Sequence, residues 1–401
     1  MLNDSAIRKM DDDEAWLLTA PRARVRFRRV ALTDFRSYGR IDIELDGRPV
    51  ALSGPNGAGK TNLLEAISLF GPGRGVRHAR LDELPRIGGA GGWAVSARLE
   101  SAGETGVTDM RTLGVGSGDG DVDRRVCRID GASASGPSAF AECLRLIWLT
   151  PAHDRLFVES AGERRRFLDR MAMALDPAIA RISSDYETAM RQRQRLLDER
   201  SRDEAWIAAL EVQMAENGVA LAAARRDMAS ALVAAAVEDA EAAFPAADIA
   251  LEGGLEASLA YQPAADVEEE FAAALKANRR IDAEAGRALI GPHRSDLLVT
   301  HRAKGRAARL CSTGEQKALL IGLVLANARA LSLRPGAAPL VLLLDEIAAH
   351  LDEFRRAALF DILDDLGFQC FMTGTDAALF DAWGPRAQAF EVKDGAVSEL
   401  N

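Results

Sequence analysis

A glycine-rich octapeptide at positions 54–61 constrains the fold of this chain more than any other feature. It reads Gly-Pro-Asn-Gly-Ala-Gly-Lys-Thr and matches the pattern G-x-x-x-x-G-K-[ST]. The apolar run Val50–Ser53 before it predicts a strand, and the apolar residues from Leu63 to Phe70 have the spacing of a helix. A glycine-rich turn with a chance lysine is the alternative, but only six of the 401 residues are lysine. The sequence therefore predicts a strand–loop–helix phosphate site in an α/β fold.

Each part of this octapeptide has a chemical role in the prediction. Glycines let backbone N–H groups converge on a phosphate chain, and the start of a helix adds partial positive charge. We expect Lys60 to reach the β- and γ-phosphates and the Thr61 hydroxyl to bind Mg²⁺. The residues predicted to surround the phosphates are Gly54, Pro55, Asn56, Gly57, Ala58, Gly59, Lys60 and Thr61.

A second motif is the aliphatic run Leu340–Leu344, which Asp345 and Glu346 follow directly. Five consecutive aliphatic residues are typical of a strand buried on both faces of a parallel sheet, where ligands bind at the carboxyl ends of the strands. An ordinary buried strand with an acidic turn is the alternative if the run is taken alone. Together with the phosphate loop, it predicts that Asp345 holds Mg²⁺ and that Glu346 is the catalytic base that orients water.

A third motif lies at the start of a strongly apolar helix, residues 318–328. Ser312 and Glu315 form a capping-box pattern, which predicts that the helix begins near Thr313 with its free N–H groups pointing outward. A capped helix start needs no function by itself. The order of the motifs along the chain gives it more weight, because Ala348-Ala349-His350-Leu351-Asp352 follows the acidic strand.

Composition divides the chain into four predicted regions. Residues 1–21 form a polar, acidic N-terminal extension, and 22–160 and 286–401 form the two parts of one α/β head. Short alternating stretches between 88 and 137 predict antiparallel strands. Residues 161–285 are rich in Ala, Arg, Glu and Leu and predict an all-helical inserted domain, with one helix pattern from Ala205 to Ala243.

The net charge of −10 argues against a nucleic-acid partner only when it is taken over the whole chain. The segment 203–285 contains 17 acidic and five basic side chains, so it alone exceeds the total imbalance. The four cysteines are scattered and predict neither a disulfide framework nor a zinc site. Because no apolar run is long enough to span a bilayer and no signal-peptide pattern is present, we expect a cytoplasmic protein.

The order of the three motifs resembles that of the ABC-type ATPase heads. This resemblance implies that the signature residues Ser312, Thr313, Gly314 and Gln316 bind the γ-phosphate of ATP held by a second subunit. It also implies that Asp352 lies in a loop at the dimer interface. From Lys60 to Asp345 the chain spans 285 positions, which is longer than in transporter heads and far shorter than in long-armed SMC-type proteins.

This intermediate architecture is similar to that of the RecF family of DNA replication and repair proteins. The segments that carry the resemblance are Leu32–Tyr38, Gly54–Asn62, Gly73–Gly75, Leu149–Pro151, Arg164–Asp169, Gly291–Leu297, Ser312–Ala328, Asp345–Asp352 and Phe371–Thr375. The sequence departs from the family pattern at its N-terminal extension and at His153. The resemblance implies an ABC-type P-loop ATPase head, with a mixed core sheet, an antiparallel β lobe and an inserted helical domain.

The family resemblance also implies a function. ATP and Mg²⁺ would drive the formation of a homodimer that clamps double-stranded DNA near single-strand gaps and, with RecO and RecR, promotes RecA loading in replication, repair and the SOS response. The resemblance also implies that Arg36 and Asn62 belong to the nucleotide site and that Thr373 is a switch residue. The basic run Arg164, Arg165 and Arg166 is a candidate DNA contact. An ABC transporter ATPase subunit and an SMC-like chromosome scaffold remain the alternatives.

Overall fold

The structure is a computed structural model that describes residues 24–102, 108–118, 121–201, 203–237, 243–333 and 339–400. The predicted extension at 1–21 lies outside these ranges. The described strands are β1 (Arg24–Phe35), β2 (Tyr38–Glu44), β3 (Val50–Ser53), β4 (Ala94–Ala102), β5 (Thr108–Gly118), β6 (Asp121–Ile129), β7 (Ala132–Ser133), β8 (Arg145–Leu149), β9 (Ala247–Glu252), β10 (Asp296–His301), β11 (Arg306–Ala307), β12 (Leu340–Leu344), β13 (Gln369–Gly374), β14 (Gln388–Lys393) and β15 (Ala396–Glu399). The described α-helices are α1 (Lys60–Ser68), α2 (Ala161–Leu175), α3 (Ala178–Asp198), α4 (Glu204–Ala234), α5 (Gly254–Ser258), α6 (Ala264–Ala285), α7 (Thr313–Ser332) and α8 (Glu353–Leu366).

A mixed six-stranded sheet in the order β15-β14-β3-β13-β12-β8 forms the centre of the head. All its neighbouring strands are parallel except β14 and β15. In β12, Val341 and Leu343 pack into one hydrophobic cluster, whereas Leu342 and Leu344 pack into another on the opposite face. The aliphatic run is therefore buried on both faces, as its sequence predicts.

The register of this sheet brings the predicted site residues to one edge. Ser53 at the end of β3 pairs with Gly374 of β13, and Leu344 of β12 pairs with Met372 of the same strand. The residues that follow β3 and β12 therefore leave the sheet at the same edge, on either side of β13. This edge is where ligands bind in open parallel sheets.

An antiparallel sheet in the order β2-β1-β4-β5-β6-β7 covers the other side of α1. The antiparallel strands predicted between 88 and 137 are present in the described parts of that range. Leu63, Ile67 and Phe70 of the α1 region share one buried cluster with Phe27 of β1 and Phe371 of the central sheet. The helix after the phosphate loop is thus held between two sheets.

The inserted segment contains long helices, but it is not all helical as predicted. Residues Ala247–Glu252 form β9, which pairs antiparallel with β10 and extends a small sheet in the order β11-β10-β9. In β9, Ala247 is buried and Ile249 and Leu251 are partly buried, whereas the residues between them are exposed. This period-2 pattern is too short to stand out among alanines. Helix α4 begins at Glu204 and ends at Ala234, before the predicted end at Ala243. The domain boundaries themselves stay a prediction.

The predicted mixed core sheet, antiparallel β lobe and long helices of the inserted part are all present in the described residues. No helix in the described part of the chain combines the length and hydropathy needed to cross a bilayer.

Candidate nucleotide-binding site

The phosphate loop, residues 54–61, joins β3 to α1 through backbone conformations that favour glycine. The φ angles of Gly54, Gly57 and Gly59 are +147°, +82° and +116°. A Cβ atom on Gly54 would lie 2.2 Å from the carbonyl oxygen of Val392 in the neighbouring β14. Since real contacts are never that short, only glycine lets the loop leave the sheet at this point.

Lys60 is the first residue of α1, and its side chain curls back over the loop. Its Nζ donates hydrogen bonds to the carbonyl oxygens of Gly54, at 2.6 Å, and Pro55, at 2.9 Å. Lys60 is 4% exposed, and burial lowers its pKa while the charges of Glu346 and Asp345 act in the opposite direction. The ammonium group therefore lies inside the curve of the loop, where backbone N–H groups and the α1 N-terminus also favour anions.

Asp345 receives hydroxyl hydrogen bonds from Thr61 on α1 and from Thr373 at the end of the neighbouring strand β13. The Thr61 Oγ1 donates to the two carboxylate oxygens at 3.1 and 3.0 Å, and Thr373 Oγ1 at the end of β13 donates to Oδ1 at 2.7 Å. Asp345 is 4% exposed and Thr373 is fully buried. The structure therefore brings the two predicted Mg²⁺ ligands, Thr61 and Asp345, within hydrogen-bonding distance, and their hydroxyl and carboxylate oxygens are of the kind that Mg²⁺ prefers.

The catalytic candidate Glu346 lies in a left-handed backbone conformation, with φ +55°. Its backbone N–H donates to Thr373 Oγ1 at 2.8 Å. The Thr373 hydroxyl therefore accepts from Glu346 and donates to Asp345, so one side chain fixes the positions of both acidic residues. A left-handed residue other than glycine is strained unless its surroundings hold it, and such strain is common at functional sites.

The remaining predicted nucleotide residues have partners in the same chain. Arg36 makes two hydrogen bonds, at 2.8 and 2.7 Å, to the buried carboxylate of Glu65 on α1. Asn62 receives a hydrogen bond from Arg77 at 2.6 Å and donates to Ser37 Oγ at 2.8 Å. The structure thus places Arg36 against α1 and Asn62 in its first turn, and their contact with a nucleotide stays a prediction.

The signature residues lie at the predicted helix start. Helix α7 begins at Thr313, and Ser312 and Glu315 form the reciprocal capping box. Ser312, Thr313 and Gly314 are exposed, and the Gln316 amide donates to the Cys311 carbonyl oxygen at 2.9 Å. Among the described contacts, no hydrogen bond or ion pair joins the signature to the phosphate loop of the same chain.

Glu315 carries the strongest electrostatic shift at this helix start. An ion pair with Lys304 and hydrogen bonds from Ser312 lower the pKa of its carboxyl group to about 2. Asp352, the predicted interface residue, is likewise exposed and caps α8 by accepting from the backbone N–H of Arg355 at 2.8 Å.

The basic run on α2 is engaged within the protein. Arg164 forms two 2.7 Å hydrogen bonds to Asp296 at the start of β10. Arg165 donates to the Ser295 carbonyl oxygen, and Arg166 pairs with Glu163. These contacts give Arg164 and Arg165 a structural role between α2 and β10, and DNA contact by the run stays a prediction.

Sequence reasoning missed two residues that hold the phosphate loop and α1 in place. Tyr38 is fully buried and donates its hydroxyl proton to the Gly59 carbonyl oxygen at 2.9 Å. Glu65 is fully buried and pairs with both Arg36 and Arg77. Glu65 stands among the apolar residues of the predicted helix, and this position was a signal that its carboxylate would need a positively charged partner. Nothing in the sequence indicates which arginine is that partner. Within the described ranges, no group of three or more His, Cys, Asp or Glu side chains could hold a metal ion.

Comparisons with known proteins agree on one family. The RecF/RecN/SMC N terminal domain family matches residues 26–396. "DNA replication and repair protein RecF" of Rhizobium leguminosarum bv. trifolii (strain WSM2304) is 51% identical over 377 residues, which cover 94% of this chain and 99% of that protein. The protein of the same name from Mesorhizobium japonicum (strain LMG 29417 / CECT 9101 / MAFF 303099) is 53% identical over 377 residues, covering 94% and 98%.

Two solved structures share the fold. The recombination mediator protein RecF with ATP has a TM-score of 0.79 at 21% identity, covering 95% of this chain and 99% of that one. The Smc head domain of Pyrococcus furiosus, with an extended coiled coil and bound to the C-terminal domain of ScpA, has a TM-score of 0.51 at 15% identity, covering 94% and 96%.

Proposed function

This chain belongs to the RecF family of DNA replication and repair proteins, and on that premise we propose that it is an ATP-dependent DNA-binding repair and recombination protein. ATP binding would bring two copies together, and hydrolysis would separate them. The relatives match along almost their whole length, so the alternative of a transporter ATPase subunit is not retained.

The assembled phosphate loop supports ATP as the ligand. The loop N–H groups, the buried Lys60 ammonium and the α1 N-terminus would bind the phosphates. Thr61 and Asp345 would hold Mg²⁺, which supplies charge neutralisation at the phosphates. Glu346 would orient and deprotonate the attacking water, with its backbone held by Thr373.

The observation that best supports ATP-dependent dimerisation is the exposed start of α7. Ser312, Thr313 and Gly314 face outward with no described contact to their own phosphate loop. A helix N-terminus is a ready anion site, so it would bind the γ-phosphate of ATP on a second copy. A two-fold dimer would then contain two shared sites, and ATP would favour it through contacts that the monomer lacks.

The distribution of charge supports DNA binding by the head. The acidic excess lies in 203–285, so the head is the less acidic part of the chain. We propose that the closed dimer clamps double-stranded DNA near single-strand gaps and, with RecO and RecR, promotes RecA loading in replication, repair and the SOS response. DNA would stimulate a slow ATPase that serves as the dimerisation switch. A cytoplasmic location is part of the same proposal.

Sedimentation velocity with and without ATP tests the dimer directly. We expect wild type to dimerise with ATP, Lys60→Ala and Ser312→Arg to remain monomeric, and Glu346→Gln to stay dimeric for longer. Ser184→Arg, at an exposed serine on α3, is the matched control for the added charge. Wild type that stays monomeric with ATP and gapped DNA would overturn the proposal.

DNA preference needs a separate measurement. Binding to gapped, blunt duplex and single-stranded DNA should be compared at several salt concentrations, since phosphate contacts weaken steeply with salt. We expect tighter ATP-dependent binding to gapped DNA than to single strands. Equal affinity for all three with and without ATP would contradict a clamp.

A further inference from the structure

A cavity of about 320 Å³ lies apart from the phosphate loop, none of whose residues line it. Its walls come from the segment 72–78 that follows α1, from β8 and the loop after it, and from α2 and α3. Cavities of this size hold small organic ligands in other proteins. The chemistry of its lining indicates which class of ligand it fits.

Arg170 on α2 is the central feature of this cavity. Its guanidinium carbon lies 5.0 Å from the centre of the Trp148 ring and 6.0 Å from that of Phe167. In the described part of the chain, no carboxylate lies within ion-pair distance of it. Burial lowers the pKa of Arg170 to about 10, which leaves the group charged at neutral pH. A charge in such surroundings is costly unless an anion accompanies it.

The one described hydrogen-bond partner of Arg170 is a neutral side chain. Its Nη2 lies 2.8 Å from Nε2 of His153, and burial together with the Arg170 charge lowers the pKa of His153 to about 3. Arginine has only N–H donors, so Nε2 accepts from Arg170, while Nδ1 lies 3.1 Å from the backbone nitrogen and 3.0 Å from the hydroxyl oxygen of Thr150. His153 therefore orients the guanidinium without neutralising it.

None of the four acidic residues of the lining forms a described ion pair with Arg170, although the charge of Glu163 acts on it from a distance and partly offsets the effect of burial on its pKa. Glu163 pairs with Arg166, Asp169 pairs with Arg225 at 2.7 Å, and Glu159 lies 3.6 Å from Arg155. The fourth, Glu187, is exposed at the rim.

Two further residues at the mouth support an anion site. Arg74 is exposed there with no described ion pair, and it lies within the segment Gly73–Gly75. His78 has a left-handed backbone with φ +53°, a strained conformation typical of functional positions. Burial and then the charges of Arg170 and Arg166 lower the pKa of His78, whereas Glu163 raises it. Positive potential therefore reaches from the interior to the mouth.

We propose that this cavity binds a small phosphorylated molecule, with its phosphate oxygens on Arg170 and Arg74 and its apolar part against Trp148, Leu156 and Met173. Two cations suit a dianionic phosphate better than a single carboxylate, and arginine binds phosphate through paired N–H groups. The phosphate belongs to a free small molecule or to the phosphorylated end of a nucleic-acid strand. This site is independent of the proposed ATP site.

Calorimetric titration with phenyl phosphate tests the site. Every protein titrated carries Lys60→Ala, which weakens phosphate binding at the phosphate loop, and the Lys60→Ala protein without further change is the background. We expect Arg170→Gln to raise the Kd about tenfold, the effect of losing one charge-assisted hydrogen bond. Arg170→Lys should retain part of the affinity. Arg181→Gln, at an exposed arginine on α3 outside the lining, is the matched control and should bind as the background does.

An NMR readout keeps the test valid if Arg170→Gln does not fold. The imidazole resonance of His78, identified by its loss in His78→Gln, should shift with phenyl phosphate, and the pKa of His78 should rise because an anion offsets the arginines. Inorganic phosphate should bind more weakly than phenyl phosphate. Binding of a terminally phosphorylated oligonucleotide, but not of its unphosphorylated form, would assign the phosphate to a strand end. Equal affinity in Arg170→Gln and Arg181→Gln, or no change at His78 with any probe, overturns the proposal.

Discussion

Replacing Thr373 by valine should separate ATP binding from ATP hydrolysis. The Thr373 hydroxyl donates to Asp345 at 2.7 Å and accepts from the Glu346 N–H at 2.8 Å. Valine has nearly the same shape but makes neither hydrogen bond. Asp345 keeps its contact with Thr61, so the phosphate loop is left intact. The Glu346 backbone, in its left-handed conformation, loses its hydrogen bond to the central sheet.

The size of the effect follows from these two hydrogen bonds. A hydrogen bond to a charged acceptor contributes about 1.5–3 kcal/mol, and leaving a buried N–H without a partner costs about 1–3 kcal/mol. The free energy of unfolding should therefore fall by roughly 2.5–6 kcal/mol. A shift of about 1 Å in a catalytic group costs about 100-fold in rate, so the kcat of ATP hydrolysis should fall about 100-fold while the Kd for ATP changes little.

Single-turnover hydrolysis and equilibrium ATP binding measure the two quantities separately. Thr373→Ser is the control, because it keeps the hydroxyl and should retain kcat within a few-fold of wild type. A folded Thr373→Val protein with kcat within about threefold of wild type would show that Thr373 does not position Glu346. A loss of ATP affinity as large as the loss of kcat would also contradict the reasoning.

Three further predictions concern packing and pH. Gly54→Ala should abolish ATP binding in a filter assay, because its Cβ would lie 2.2 Å from the Val392 carbonyl oxygen, whereas Gly57→Ala meets no atom within 4 Å and should keep more affinity. Arg225→Met should lower the free energy of unfolding by about 3–5 kcal/mol in urea, because it leaves the Asp169 carboxylate buried without its bidentate partner. His153 has a pKa of about 3 when folded, below its ordinary 6.5, so stability should be complete above pH 6.5 and fall by about 1.4 kcal/mol per pH unit as the pH drops toward 3. His153→Gln should flatten that dependence.

The parts of the site that were predictable are those with a local signal. The octapeptide at 54–61, the aliphatic run before Asp345 and the capping box at Ser312 each determine their own backbone through nearby residues. The pairing of Thr61 with Asp345 also followed, because parallel strands place their carboxyl ends at one edge. In each case the relevant contact is local or is a consequence of sheet topology.

The contacts that were missed join residues distant in sequence through side-chain geometry. Arg36 could be assigned to a nucleotide or to a carboxylate, and only the fold brings it to Glu65, 29 positions away. Arg164 meets Asp296 across 132 positions. With 44 arginines in the chain, composition does not indicate which arginine meets which acid. The short strand β9 was hidden for a related reason, since its stability comes from pairing with β10 rather than from its own pattern.

The capping box that builds the start of α7 also limits how a second copy can bind there. The Glu315 carboxylate lies over the N-terminus of the helix, where it accepts from the Ser312 N–H at 2.7 Å and from the Ser312 hydroxyl at 2.9 Å. An approaching γ-phosphate would compete with that carboxylate for the same donors. The Lys304 ammonium pairs with Glu315 and offsets its charge, so in the proposed dimer it would reduce the repulsion between this carboxylate and the γ-phosphate. Because the pKa of Glu315 is lowered to about 2, the carboxylate is ionised at every physiological pH, and this competition would meet each γ-phosphate that approaches the start of α7.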